Sequence, residues 1–248
     1  MKQLLKGMFL HEIDIRFIKY LHAMKVATYA QATRDIYLGY HQDSVGKRIR
    51  KMESNKLLQS SRARVLLNGK CVVHLSKKGF LQFVRRGDEQ RVELKSDSVA
   101  HDLTLVDLRN AFLKSKQVKR YLSENELQTW GHSLCDAAYS SFVNLNSDAV
   151  VDIQFTKGIL RVPVEYEAHQ KSDERYEKVL NKYYNSDETE VVLFVCGSSQ
   201  IMNKVIGLEK LKYKVEQPKF FYSLADNILK NGSMSFINCR DILLTLDA

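Results

Sequence analysis

The sequence predicts a mixed α/β protein of two domains: three helices and a hairpin over residues 1–95, then a sheet covered by helices over residues 101–248. Three observations predict this. Charge is divided unevenly, since residues 1–95 carry 20 Lys and Arg against 8 Asp and Glu, whereas the remainder carries 18 against 21. All of the net charge of +9 therefore lies in the first part. Apolar residues step by three and four through the first 55 positions, the helical period, while after Asn146 alternating and unbroken apolar runs take turns with helical ones.

Composition excludes several classes. With 44% hydrophobic and 27% charged residues the chain folds as a globular protein. No apolar run approaches the roughly 20 residues of a membrane span, and the N-terminus is charged early without a small-residue cleavage site, so a cytosolic protein with no membrane partner is expected. Cys71, Cys135, Cys196 and Cys239 are scattered, with no C-x-x-C pair, and the seven histidines form no H-x-H or H-E-x-x-H. Reduced, packed cysteines are expected, and neither residue type supports a zinc site.

In the first domain, Leu10, Ile13, Phe17, Tyr20, Leu21 and Met24 line one face of a helix over residues 9–24. Thr28 and Gln31 fit a capping box that opens a second helix through Leu38, ended by Gly39. Asp43 or Ser44 caps a third helix to about Asn55, with Val45, Ile49 and Met52 facing inward and Lys47, Arg48, Arg50 and Lys51 covering much of the rest. A helix that follows a short turn, apolar on one side and cationic on the other, suits insertion into the major groove of double-stranded DNA. Arg62 to Leu75 reads as two strands around an Asn68-Gly69 turn, and its Arg62, Arg64 and Lys70 extend the cationic surface. Phe80, Leu81, Phe83 and Val84 suggest a further short helix. Three helices and a basic hairpin make a winged helix-turn-helix.

Residues 87–100 are polar enough to be a connection. Leu105, Leu108 and Phe112 then mark a helix, and Ser123 with Glu126 a capping box for another through Trp130, Leu134 and Ala138. A hairpin over Ala149 to Ala168 turns at Lys157-Gly158. Ser172 or Asp173 caps a helix with Tyr176, Val179, Leu180 and Tyr183, and the Tyr183-Tyr184 pair is read as packing. Glu190 to Cys196 is a buried central strand, followed by a helix through Ile201, Val205 and Leu208. Lys219 to Ser223 and Ser235 to Asn238 are later strands.

The hairpin carries the chemistry. Asp148 opens its first strand, Glu165 and Glu167 close the second on one face, and pairing brings Asp148 near them. Three converging carboxylates repel one another unless a cation sits among them, and hard oxygen donors favour Mg²⁺ or Mn²⁺. The hairpin resembles the acidic hairpin of the restriction-endonuclease-like core, and the resemblance implies Asp148 and Glu165 as the metal ligands and Glu167 as the group that binds or deprotonates the attacking water, which makes all three candidate catalytic residues. Lys171 or His169 would supply a positive charge, and Asp152, on the face of Asp148, is a weaker ligand. Pro163 requires the second strand to be an edge, to start late or to bulge there.

Two segments resemble known families. VGKRIRKMESNKLL, a hairpin and LSKKGFLQF resemble bacterial winged-helix regulators. The order helix, acidic hairpin, helix, strand is similar to the restriction-endonuclease-like, PD-(D/E)-x-K core, with Ser147-Asp148 in place of Pro-Asp and Glu165-Tyr166-Glu167 in place of D/E-x-K, glutamate standing where lysine is usual. With VAHDLTLVDLRNAFL, whose His101-Asp102 matches a His-acid-Leu segment, the chain resembles the replication-relaxation family, which includes MobC-type plasmid mobilisation proteins. The resemblance implies action at a plasmid or mobile-element transfer origin, as a Mg²⁺-dependent nicking relaxase or a partner of one. The alternative is a non-catalytic regulator or relaxosome accessory protein, whose second domain forms a homodimer or binds another protein. A conventional restriction enzyme is a third reading.

Overall fold

In a computed structural model, the chain is described over residues 3–5, 8–62, 71–131, 139–213 and 216–247. It is a mixed α/β protein that divides into two compact units, Met1–Asp107 with Gln128–Ser133 and Leu108–Leu127 with Leu134–Ala248.

The first unit opens on a short antiparallel pair, β1 (Gln3–Leu5) and β2 (Met8–Leu10). Then follow α1 (Glu12–Met24), β3 (Ala27–Thr28), α2 (Tyr29–Asp35), α3 (Gln42–Ser54), β4 (Leu58–Arg62), β5 (Cys71–Leu75) and α4 (Lys77–Phe83). β3, β5 and β4 form an antiparallel sheet in that order. Of the expected inward faces, Phe17, Tyr20, Leu21 and Met24 of α1 and Val45, Ile49 and Met52 of α3 are buried, Ile13 is half-buried, and Ile18, not expected there, is buried too. Thr28 and Gln31 make the capping box, with the Gln31 N–H on Thr28 Oγ1 at 3.2 Å and the Thr28 N–H on Gln31 Oε1 at 3.0 Å.

Three boundaries in this unit differ from expectation. Helix α1 starts at Glu12, because Met8 to Leu10 pair with β1. Helix α2 stops at Asp35, and Tyr37 beyond it is buried with its hydroxyl donating to Asp14 Oδ1 at 3.0 Å. The cap of α3 is His41, whose Nδ1 accepts the Asp43 N–H at 3.4 Å, which leaves Asp43 inside the first turn, where a carboxylate suits the helix dipole. The Asn68-Gly69 turn lies outside the described residues.

Helix α5 (Val99–Phe112) begins in the first unit and ends in the second. The second unit continues through β6 (Val118–Ser123), the start of α6 (Glu124–Trp130), whose residues from Gln128 belong to the first unit, α7 (Ser140–Leu145), β7 (Ala149–Phe155), β8 (Gly158–Glu167), α8 (Asp173–Tyr184), β9 (Val192–Cys196), α9 (Ser199–Tyr213), β10 (Phe220–Leu224), α10 (Ala225–Leu229), β11 (Ser235–Asn238) and β12 (Leu243–Thr245). Its seven strands run β12-β11-β10-β9-β8-β7-β6. β6, β7 and β8 are antiparallel neighbours, whereas β8, β9 and β10 are parallel and are joined by α8 and α9. One core holds Leu122, Val150, Phe194 and Phe220 of the sheet against Phe142, Leu180, Tyr183 and Val205 of the helices.

The capping box of Ser123 and Glu126 is present, with the Ser123 N–H on Glu126 Oε2 at 3.1 Å, but α6 stops at Trp130. Leu134 and Ala138 lie outside the described residues. Strand β6 was not expected. Its register shifts between Val118 and Arg120, so Lys119 and Arg120 are both exposed and the alternation that marks a strand is broken. The β7–β8 turn is Thr156-Lys157, one residue earlier than read, and Gly158 follows at φ +141°, a conformation that side-chain-bearing residues avoid. Pro163 neither bulges nor ends its strand. It pairs with Val150 in an unbroken register, and the ladder to β9 begins only at Val164, so β9 asks no donor of the proline.

Candidate functional site

The β7–β8 register decides which acids meet. Ala149 pairs with Val164, so Asp148, one residue before β7, stands opposite Glu165. Asp148 Oδ2 accepts the Tyr166 N–H at 2.7 Å, which fixes its carboxylate at the strand end. Glu165 keeps 15% of its side-chain exposure, and its Oε1 accepts from Lys182 Nζ at 2.8 Å and from the Tyr183 hydroxyl. The same hydroxyl is 2.8 Å from Ser147 Oγ. Helix α8 presents both partners from its last turn: Tyr176, Leu180 and Tyr183 bury its inner face, and Lys182 flanks it with Nζ 4.4 Å from the centroid of the Tyr183 ring.

Electrostatics follow from this geometry. Burial, helped by the Asp148 charge, pushes the Glu165 carboxyl up to about 7, against the opposing pull of Lys182 and Tyr183. Burial and Glu165 hold the Tyr183 hydroxyl well above its ordinary range, so it remains a protonated donor. Lys182 meets Glu165, the Asp148 charge across the strand pair raises the Glu165 carboxyl, and a cation bound by both acids would relieve their repulsion.

Glu167 does not join this pair. It lies two residues further along β8, about 6.6 Å at strand rise, and its Oε2 meets Lys171 Nζ at 2.6 Å. Three converging carboxylates were expected. Two meet, because Lys171, returning from the strand end, takes the third. Among the described residues no group of three or more His, Cys, Asp or Glu side chains is placed to hold a metal ion. Asp148 and Glu165 are the two carboxylates at this strand end that could share a cation, and Mg²⁺ is commonly held by one or two carboxylates completed by water and substrate oxygens.

The remaining candidates are placed as follows. Lys171 faces Glu167, not Glu165, and His169 is exposed. Asp152, four residues along β7 from Asp148, takes the Tyr139 hydroxyl at 2.5 Å and lies 3.6 Å from Arg161 Nε. His101 and Asp102 contact each other at 3.1 Å in the first turn of α5. Lys182, Tyr183 and Ser147 were not read as partners of Glu165. The available signal was the helix directly after the hairpin, since an acid buried on a strand calls for a cation from the element that covers it.

On α3, Lys47, Arg50 and Lys51 are exposed, and Arg50 Nε donates to Gly46 O within the helix at 3.2 Å. Arg48 is set apart. Its guanidinium forks onto both oxygens of the fully buried Asp14 and donates to Phe9 O at 3.0 Å, so it ties α3 to α1. Arg64, Lys70 and the side chain of Arg62 lie outside the described residues.

No helix among the described residues is long and apolar enough to cross a membrane. No family model, curated protein or solved structure matches the chain.

Proposed function

We propose that this chain is a DNA-binding protein with a Mg²⁺- or Mn²⁺-dependent phosphodiester-cleaving site in its second unit. The observation that carries the reading is Asp148 standing opposite Glu165 at the end of a β hairpin, with Lys182 on Glu165. Three antiparallel strands, a crossover helix and a parallel strand, β6 to β9, support a restriction-endonuclease-like core, and the exposed cations of α3 support a winged helix that holds double-stranded DNA. The lysine that this core usually carries two residues after its second acid is supplied instead from α8, as Lys182. The resemblance to the replication-relaxation family makes the substrate a transfer origin.

Asp148 and Glu165 would hold the ion, which, when bound, lowers the pKa of water and polarises a phosphoryl oxygen. The chain's own residues prepare that state. The Tyr166 N–H orients Asp148, Tyr183 and Ser147 orient Glu165, and Lys182 balances the paired carboxylates and is placed to steady negative charge building on a phosphate. Glu167 has no part in this step; with Lys171 it secures the end of β8.

The test is nicking of supercoiled plasmid carrying a transfer origin, with Mg²⁺ or Mn²⁺, by the wild type, Glu165→Gln and Lys182→Met. Nicking by the wild type alone supports the proposal. Equal nicking by all three, or none by any while DNA binding persists, overturns the catalytic part. In the second case the chain is a non-catalytic DNA-binding or relaxosome accessory protein, a reading favoured by the two bonds that Glu165 Oε1 already accepts.

A further inference from the structure

Four residues along the same strands from the acid pair, a second charged group has a different composition. Arg120 of β6 pairs across with Asp152 of β7, and Asp152 with Arg161 of β8, so one carboxylate stands between two arginines on one face of the sheet. Tyr139, buried at the start of α7, joins all three. Its hydroxyl donates to Asp152 Oδ2 at 2.5 Å, and the Arg120 and Arg161 guanidinium carbons lie 5.2 and 4.7 Å from its ring centroid. The two guanidiniums are therefore within about 10 Å of each other, no further than a Debye length at 0.1 M salt, and they repel one another.

The stack holds these cations in place without neutralising them. Asp152 supplies one negative charge to the two cations, with Arg161 Nε 3.6 Å from its Oδ1. Arg120 is exposed and Arg161 keeps 31% of its side-chain exposure. The surroundings add positive charge, since Lys114, Lys116, Lys119 and Lys157 are all exposed and residues 113–123 contain no acid. Gln117 O accepts the Gln154 N–H at 2.8 Å, which sets the lysine-bearing approach to β6 beside the turn end of the hairpin. This concentration stands out because residues 96–248 as a whole carry more acidic than basic side chains.

We propose that Arg120 and Arg161, braced on Tyr139 and Asp152, form a second contact for the phosphodiester backbone of DNA, carried by the α/β unit itself. Arginines clamped on an aromatic ring present planar forks at little further cost in side-chain order, the arrangement that suits phosphate oxygens. The contact reads charge and not sequence, so it adds affinity and salt dependence. It rests on the reading of the chain as DNA-binding and is independent of cleavage.

The experiment is a titration of a fluorescent DNA duplex with the full chain, in EDTA, over a series of salt concentrations. The variants are Arg120→Gln, the double variant Arg120→Gln/Arg161→Gln, Arg161→Lys, and, in the first unit, Lys47→Ala/Arg50→Ala. Arg120→Gln is expected to bind severalfold more weakly, and the slope of log K against log salt to fall by about 1 for each arginine removed. Arg161→Lys retains the charge and is expected to keep most of the slope. Since Arg161 also faces the buried Asp152, the double variant counts only if its circular dichroism and melt match the wild type; otherwise Arg120→Gln decides alone. Unchanged affinity and slope in Arg120→Gln, alongside a loss in Lys47→Ala/Arg50→Ala, overturns this contact and leaves the DNA-binding reading standing. A wild type that binds no duplex at all overturns both.

Discussion

Lys182 Nζ lies 2.8 Å from Glu165 Oε1, so the cation that faces the buried carboxylate comes from the last turn of α8 and not from its own strand. Lys171, closer in sequence, is committed to Glu167 at 2.6 Å. On the proposed reading the two lysines should separate in their effect on cleavage. Lys182→Met is expected to lower nicking by about 100-fold or more, the usual effect of removing a group that stabilises transition-state charge, while Lys171→Met stays within a few-fold of wild type. Single-turnover nicking rates check this, and a larger loss at Lys171 than at Lys182 would refute the assignment.

Arg48 and its neighbours on α3 should part in the same way. Arg48→Ala strips the guanidinium from the fully buried Asp14, leaving its charge to the Tyr37 hydroxyl and the His11 N–H, a loss expected to cost about 3 kcal/mol because that charge stays out of water. Lys47→Ala and Lys51→Ala, at exposed positions, should leave stability within about 0.5 kcal/mol and weaken DNA binding. Urea melts paired with duplex titrations measure both. A stable Arg48→Ala variant would show that Asp14 finds another partner.

His22 predicts a pH dependence. Its ring packs 5.5 Å from Phe80 and 4.7 Å from Trp130, and burial lowers its pKa from 6.5 to about 4, Glu89 opposing and Arg86 assisting. The folded chain thus prefers the neutral ring more than the unfolded chain does. The resulting stability is present above pH 6.5 and is lost as the pH falls from there through 4, on the order of 3 kcal/mol in full. His22→Phe should flatten that limb of a stability profile. Parallel losses in wild type and variant would assign the limb to other groups.

Two glycines of the second unit should respond with opposite signs. A Cβ on Gly197 would come 2.8 Å from Ala168 O, where the ends of β8 and β9 run close and the Gly197 N–H donates to Glu167 O at 2.8 Å. Gly197→Ala is expected to destabilise by about 1–3 kcal/mol through overpacking. Gly207, within α9, has nothing within 4 Å of such a Cβ, so Gly207→Ala should stabilise by up to about 1 kcal/mol. Thermal melts of the two variants decide.

Elements whose signals are local were legible in the chain. The capping boxes of Thr28 with Gln31 and Ser123 with Glu126 form as read, and Ser235 to Asn238 is a strand with those bounds. The acidic hairpin lies within one residue of its expected limits. Strand β6 was not legible, because a register shift erased its alternation, nor was the start of α1, because Met8 to Leu10 became a strand only through pairing with β1.

Periodicity and capping, which act over a few residues, determined the mixed α/β class, most helices and the placing of Glu165 and Glu167 on one face of one strand. Asp148 was named as their neighbour on the same local grounds. Which of them met was decided only in three dimensions. Glu165 drew Lys182, 17 residues on, and Glu167 drew Lys171, 4 residues on, while Arg48 turned inward to Asp14 across 34 residues. A charge that folding takes out of water must find its opposite there, and the partner is whichever cation the packing of helices on the sheet brings within reach. That choice is not written in local spacing, and at this hairpin it separated an expected triad of acids, giving Glu165 to Lys182, Glu167 to Lys171 and Asp148 to the Tyr166 N–H.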